Sequence, residues 1–181
     1  MRIISGIHRG RTIKVPKSKF VRPTTDRNRE SIFNYLNNII DFDGVAVCDL
    51  YAGSGSLGLE ALSRGAGEVH FVEKNYEVYK TLAENISTLK ADEQCKIWKM
   101  EAIKFSKLSE HPVYDLILCD PPFFKDDIHD VVSNLRSNNF LSGEGILLIE
   151  RSIQTKENDI EYFGIEPVKR LGDSLVYVFG V

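Results

Sequence analysis

From residue 45 onward, short apolar runs alternate with longer amphipathic stretches, and that alternation leaves few folds open. "VAVCDLY", "EVHFVEK", "CKIWKME", "YDLILCD" and "GILLIER" read as strands. Between the first four of these and after the fourth, "LGLEALSRG", "YEVYKTLAENISTLK", "AIKFSKL" and "DDIHDVVSNLRS" read as helices, with Tyr79, Leu82, Ala83 and Ile86 on one face of the second. Strands joined through helices pair in parallel and are covered on both faces. The end, "IEPVKRLGDSLVYVFGV", reads as two strands about the turn Gly172-Asp173-Ser174, so one strand must enter the sheet antiparallel. Ahead of residue 45, "RIISG" and "RTIKVP" read as a short β-ribbon. Thr24 or Thr25 then caps a helix over "DRNRESIFNYLNNI", with Ile32, Phe33, Leu36 and Ile39 or Ile40 facing inward. The expected organisation is a basic N-terminal arm, residues 1–25, on an α/β domain, residues 26–181.

A chain of 181 residues, 43% of them hydrophobic, is sized for one domain with a sizeable core. No run approaches the ~18–20 apolar residues of a membrane span, and the N-terminus lacks the apolar segment of a signal peptide. A soluble cytoplasmic protein is expected. Cys48, Cys95 and Cys119 form no CxxC pair, and the four histidines show no ligand spacing, so no metal is expected. The charge is uneven. Residues 1–30 hold nine Lys/Arg against two acids, while the remainder holds 14 against 24. A basic arm on an acidic body suits a polyanion held at one end.

"VAVCDLYAGSGSLGLEAL" is a strand, a glycine turn and a helix. Gly53, Gly55 and Gly58 fit G-x-G-x-x-G, which allows a tight turn and close approach of the backbone to a ligand. Asp49 precedes the glycines. A carboxylate there would crowd a pyrophosphate but suits a cation, and S-adenosylmethionine (SAM) carries an ammonium and a sulfonium with no phosphate. Glu73 ends the next strand, 20 residues after Gly53, where an acid accepts from ribose hydroxyls. Glu101, after the third strand, is a candidate for the adenine amine.

The fourth strand ends in Asp120-Pro121-Pro122-Phe123. Proline fixes φ and restricts the residue before it, so the segment is stiff and the Pro121 carbonyl has a fixed direction. A carboxylate and a fixed carbonyl match the two N–H donors of an exocyclic amine, and Phe123 offers a face for stacking. Holding both hydrogens favours a pyramidal nitrogen and offsets the charge that develops on methylation.

Taken together, these residues resemble class I SAM-dependent methyltransferases that act on amino groups, whose hallmark is Asp/Asn-Pro-Pro-aromatic. Within them the chain is similar to RsmD, the bacterial 16S rRNA guanine-N2 methyltransferase family. The resemblance runs nearly end to end, through "MRIISGIHRGRTIKVP", "RPTTDRNRESIFNYL", "DLYAGSGSLGLEALSRGA", "FVEKN", "DLILCDPPF" and "RLGDSLVYVF". It implies a Rossmann-like, mostly parallel seven-stranded sheet whose last strand is antiparallel. It implies SAM as donor and the N2 amine of guanine 966 in 16S rRNA as acceptor, on the small ribosomal subunit or an assembly intermediate. Asp49, Gly53, Gly55 and Glu73 would hold SAM, with Thr24 in the segment closing over its methionine end. Asp120, Pro121, Pro122 and Phe123 would hold the target base.

Arg2, Arg9, Arg11, Lys14 and Lys17 are the expected RNA contacts, acting on phosphates without reading sequence. A monomer with no obligate protein partner is expected. DNA N6-adenine or N4-cytosine enzymes and protein glutamine N5 enzymes share the Asp-Pro-Pro-Phe motif and are the alternatives, followed by an NAD-binding Rossmann protein.

Overall fold

The computed structural model describes residues 1–16, 25–122 and 127–180. Lys17, Thr24 and Phe123, three of the expected site residues, lie outside them. Seven strands form one sheet: β1 (Ala46–Leu50), β2 (Glu68–Val72), β3 (Cys95–Trp98), β4 (Tyr114–Cys119), β5 (Leu141–Ser152), β6 (Lys169–Leu171) and β7 (Ser174–Phe179). Their order is β3-β2-β1-β4-β5-β7-β6. The first five are parallel, and β7 runs antiparallel to both β5 and β6. The expected sheet, including its antiparallel last strand, is present.

Alternation along the strands builds two cores, because successive side chains point to opposite faces. Val47, Val69, Phe71, Leu116, Leu118, Ile146 and Leu148 meet one helical layer: α1 (Asp26–Leu36), α2 (Ser56–Ser63) and α3 (Tyr76–Leu89). Cys48, Leu50, Ile117, Cys119, Leu147 and Ile149 meet the other: α4 (Ala102–Phe105), α5 (Ile128–Ser137) and α6 (Lys156–Phe163). Both strand cysteines are buried and reduced.

Several local expectations change. The N-terminal ribbon shrinks to a single antiparallel bridge, Arg2 with Thr12, flanked by Ile3 N–H to Arg11 O at 3.0 Å and Ile13 N–H to Met1 O at 2.9 Å. Ile3 and Ile13 insert into the first core, which leaves no room for a longer free-standing ladder. Thr25 is the cap of α1, its hydroxyl accepting from Asn28 N–H at 3.1 Å. The buried face of α3 is Val78, Leu82, Asn85, Ile86 and Leu89, rotated away from Tyr79 and Ala83. Helix α6 was not anticipated, because "KENDIEYF" spaces its apolar residues weakly and its anchor, Asp159, is a buried charge.

Buried charges also tie the N-terminal segment down. Glu60 of α2 is fully buried, accepts from Ile4 N–H at 2.8 Å and Ser5 N–H at 3.1 Å, and pairs with Arg64 at 2.9 Å. Arg29 of α1, equally buried, lies 3.9 Å from Glu60, pairs with Asp26 at 3.0 Å and donates to the Arg2 carbonyl. Burial pulls the Arg29 guanidinium below its ordinary pKa, against the opposing pull of Asp26 and Glu60. Removing Glu60 would strand that cation and two backbone donors. Glu60→Ala is expected to cost about 3–5 kcal/mol, read by urea unfolding, and to open residues 1–16 to proteolysis before the sheet unfolds.

Candidate active site

The chain steps from β1 outward to β2 and β3, then returns to lay β4 on the other side of β1. The crevice at the carboxyl ends of β1 and β4 is therefore the switch point of the sheet, where such folds bind ligands. The register sets Leu50 opposite Cys119, so the chain leaves both strands side by side, through Tyr51 and Asp120.

The glycine turn follows β1. Gly53 (φ 56°) and Gly55 (φ 80°) both need the left-handed region, but they differ in role. A Cβ on Gly53 would have only Tyr51 O nearby, at 3.9 Å, so this backbone faces open space. A Cβ on Gly55 would sit 2.4 Å from Leu82 Cδ1, and one on Gly58 2.4 Å from Phe71 Cε1. Those two glycines let α3 and β2 close on the turn. The Asn85 side chain fixes the turn from outside, donating to Ser54 O at 3.0 Å. It also donates to Lys14 O at 3.0 Å and accepts from Lys14 N–H at 2.9 Å, joining the N-terminal segment to the loop. Sequence reading missed it, because an asparagine on a helix announces no partner 71 residues away.

Asp49 is 2% exposed, and its Oδ2 accepts from Gly58 N–H at 2.8 Å. Glu73, just past β2, accepts from Gly53 N–H at 3.1 Å and Asn75 N–H at 2.7 Å, which brings it to the glycine turn. Burial pushes the Asp49 carboxyl well above its ordinary pKa. The Gly58 bond opposes that rise, and the charges of Asp120 and Glu73 add to it. The three acids thus act on one another across the crevice. This donor set fits a ligand that carries cations and ribose hydroxyls, as SAM does. Glu101 stands at the start of α4, 3.8 Å from Lys74 and 3.4 Å from Lys104. Trp98 is partly buried against the second core, edge-on to Phe105.

On the acceptor side, Asp120 is half-buried, Pro121 buried and Pro122 exposed. The described residues show no cluster of His, Cys, Asp or Glu suited to a metal. No helix among them is long and apolar enough to cross a membrane. Of the expected RNA contacts, Arg2, Arg9, Arg11 and Lys14 are exposed, but three are already engaged. Arg2 lies 3.6 Å from Asp26, Arg11 donates to Thr88 O at 3.1 Å, and Lys14 pairs with Glu84 at 2.8 Å.

Comparison with known proteins agrees with this geometry. The family model described as conserved hypothetical protein 95 matches residues 1–180. "Ribosomal RNA small subunit methyltransferase D" of Escherichia coli K12 is 37% identical over 154 residues, covering 85% of this chain and 76% of the relative. The Haemophilus influenzae protein of the same name is 38% identical over 152 residues, covering 83% and 78%. The solved structure "Putative methyltransferase yhhF from Escherichia coli" superposes with a TM-score of 0.81 at 30% identity, covering 98% of this chain and 96% of that one. The sheet order, the acids at its switch point and these relatives agree, and the chain belongs to the RsmD family of Rossmann-like methyltransferases.

Proposed function

We propose that this protein is a SAM-dependent rRNA methyltransferase whose acceptor is the N2 amine of a guanine in 16S rRNA, position 966, on the small ribosomal subunit or an assembly intermediate. The observation that carries the reading is the delivery of Asp120-Pro121-Pro122 by β4 to the crevice shared with Asp49 and Glu73. The names of the E. coli and H. influenzae relatives support rRNA as the substrate class. SAM supplies the methyl group, already activated by its sulfonium. Asp49 and Glu73 supply the charge and ribose contacts, and Gly53 lets the backbone approach. Asp120 and the Pro121 carbonyl accept the two amine hydrogens, which leaves the nitrogen lone pair directed at the donor. Orienting two bound reactants in this way replaces stronger chemistry. The target base must leave its stack, at a cost of a few kcal/mol, and phosphate contacts from Arg2, Arg9, Arg11 and Lys14 offset it.

Asp120→Ala is expected to lower methyl transfer by about 10²–10³-fold, with SAM affinity unchanged by calorimetry. The assay is tritium transfer from labelled SAM to small subunits lacking the modification, with duplex DNA and a release factor as competing acceptors. Label on either competitor, or on a ribosomal position other than the guanine amine, would overturn the acceptor.

Neutralising Arg9 and Arg11 together is expected to reduce methylation of the subunit and flatten its salt dependence by about one unit of slope per phosphate lost, leaving SAM binding intact. A parallel loss of SAM affinity would place the arm in the cofactor site instead.

The raised pKa of Asp49 has a direct consequence for stability. A carboxyl that holds its proton more tightly when folded contributes most below the unfolded pKa, near 4, and loses that contribution as pH rises through the folded value. Asparagine keeps the acceptor for Gly58 and carries no charge. Asp49→Asn is therefore expected to melt above wild type near neutral pH, to converge with it in acid, and to bind SAM at least about tenfold more weakly.

A further inference from the structure

Tyr51 has no part in the function argued above, yet it is held in a costly conformation. Its φ is 62°, a region that tyrosine rarely occupies and that costs of order 1–3 kcal/mol. Tyr51 leaves β1 beside the point where Asp120 leaves β4, and its ring packs, half-buried, against the second core. Its hydroxyl donates to Asp127 Oδ1 at 3.1 Å. Asp127 precedes α5 and holds that helix's first turn, its carbonyl accepting from Val131 N–H at 2.9 Å. One phenol therefore joins the turn that begins the cofactor loop to the residue on which the acceptor segment ends. Arg151, 2% exposed, closes the same corner. It is fixed by Asp159 at 3.0 and 3.1 Å, and Asp159 is in turn held by Thr155 at 2.6 Å and His129 at 2.8 Å. Burial and the facing Asp127 carboxylate push the Tyr51 hydroxyl well above its ordinary pKa, against the pull of Arg151, so it remains a donor.

We infer that Tyr51 is a positioning residue: its bond to Asp127 sets the distance between the cofactor loop and the Asp120-Pro121-Pro122 acceptor segment. The inference rests on the methyl-transfer reading above and adds to it a part that neither loop supplies alone. Both bound reactants must meet in line, and misplacement by about 1 Å costs on the order of a hundredfold in rate.

Tyr51→Phe removes only the hydroxyl. Its kcat on small subunits is expected to fall at least about tenfold, with the dissociation constant for SAM held within a factor of about two. Asp127→Ala should lose as much, and Asp127→Asn, which keeps an acceptor oxygen, should retain most of the rate. The double variant Tyr51→Phe/Asp127→Ala should be no worse than either single, since both remove one interaction. Amides 128–131 should exchange hydrogen faster in Tyr51→Phe than in wild type. Unchanged kcat, a parallel loss of SAM affinity, or additive losses in the double would overturn the inference. Should Tyr51→Phe fail to fold, Asp127→Ala against Asp127→Asn carries the same comparison. Should wild type label no ribosomal RNA, the acceptor reading falls and exchange at 128–131 alone decides: faster in Tyr51→Phe supports the clasp, equal rates overturn it.

Discussion

Parallel pairing of β1 with β4, in the register that sets Leu50 against Cys119, is the constraint on which the rest of the site depends. Two segments nearly 70 residues apart end at the same height and deliver Asp49, Tyr51 and Asp120 to one crevice. Shifting either strand by one residue would turn Asp49 toward the wrong face, because side chains alternate with a period of two. The register is held by burial on both faces: Val47, Leu116 and Leu118 belong to one core, Cys48, Ile117 and Cys119 to the other. Glycine does the remaining alignment, since Gly58 lets α2 lie against Phe71 and hand its N–H to Asp49.

That arrangement concentrates negative charge where nothing in the fold requires it. Asp49 lies buried and feels both Asp120 and Glu73, each of which makes its ionisation harder. For stability alone a neutral residue would serve Gly58 as well. The acids make sense as one half of an interaction completed by a cationic ligand, whose binding returns what their proximity costs. The same logic applies to the left-handed backbone at Tyr51: strain persists at a site when the surrounding structure uses it.

Much of this was legible in the chain. Alternating strands and helices gave the sheet, the glycine spacing gave the first turn, and Asp-Pro-Pro at the end of an apolar run gave the acceptor edge. Those signals are local: each is a period or a residue type with its own conformational rule. What escaped was long-range and polar. Glu60 reads as one acid on an amphipathic helix, yet it is fully buried and holds a segment 55 residues away. Asn85, Arg151 and Asp159 escaped for the same reason, and with Asp159 went α6, whose weak apolar spacing gave no other sign. Gly55 was assigned to the cofactor, but its missing side chain makes room for Leu82. Thr24, Phe123 and Lys17 fall outside the described residues.

Charge counting along the N-terminal segment also needs the fold to be interpreted. Nine basic residues precede residue 31, but they are not equivalent. Arg29 is interior and structural, bound to Asp26 and close to Glu60, and no polyanion can reach it. Arg2, Arg11 and Lys14 sit in exposed contacts, and exposed ion pairs are worth only about 0–1 kcal/mol. Phosphates can take over such contacts at little cost, so prior engagement does not remove these residues from an RNA surface. The segment is also not a loose tether. Ile3 and Ile13 are core residues, and Asn85 binds the Lys14 backbone with one end and the Ser54 carbonyl with the other. A phosphate gripped at Lys14 is thereby held in fixed relation to the glycine turn through a single side chain. An enzyme that must bring one extruded base to one donor needs its RNA grip and its cofactor loop to share a frame, and Asn85 supplies that link.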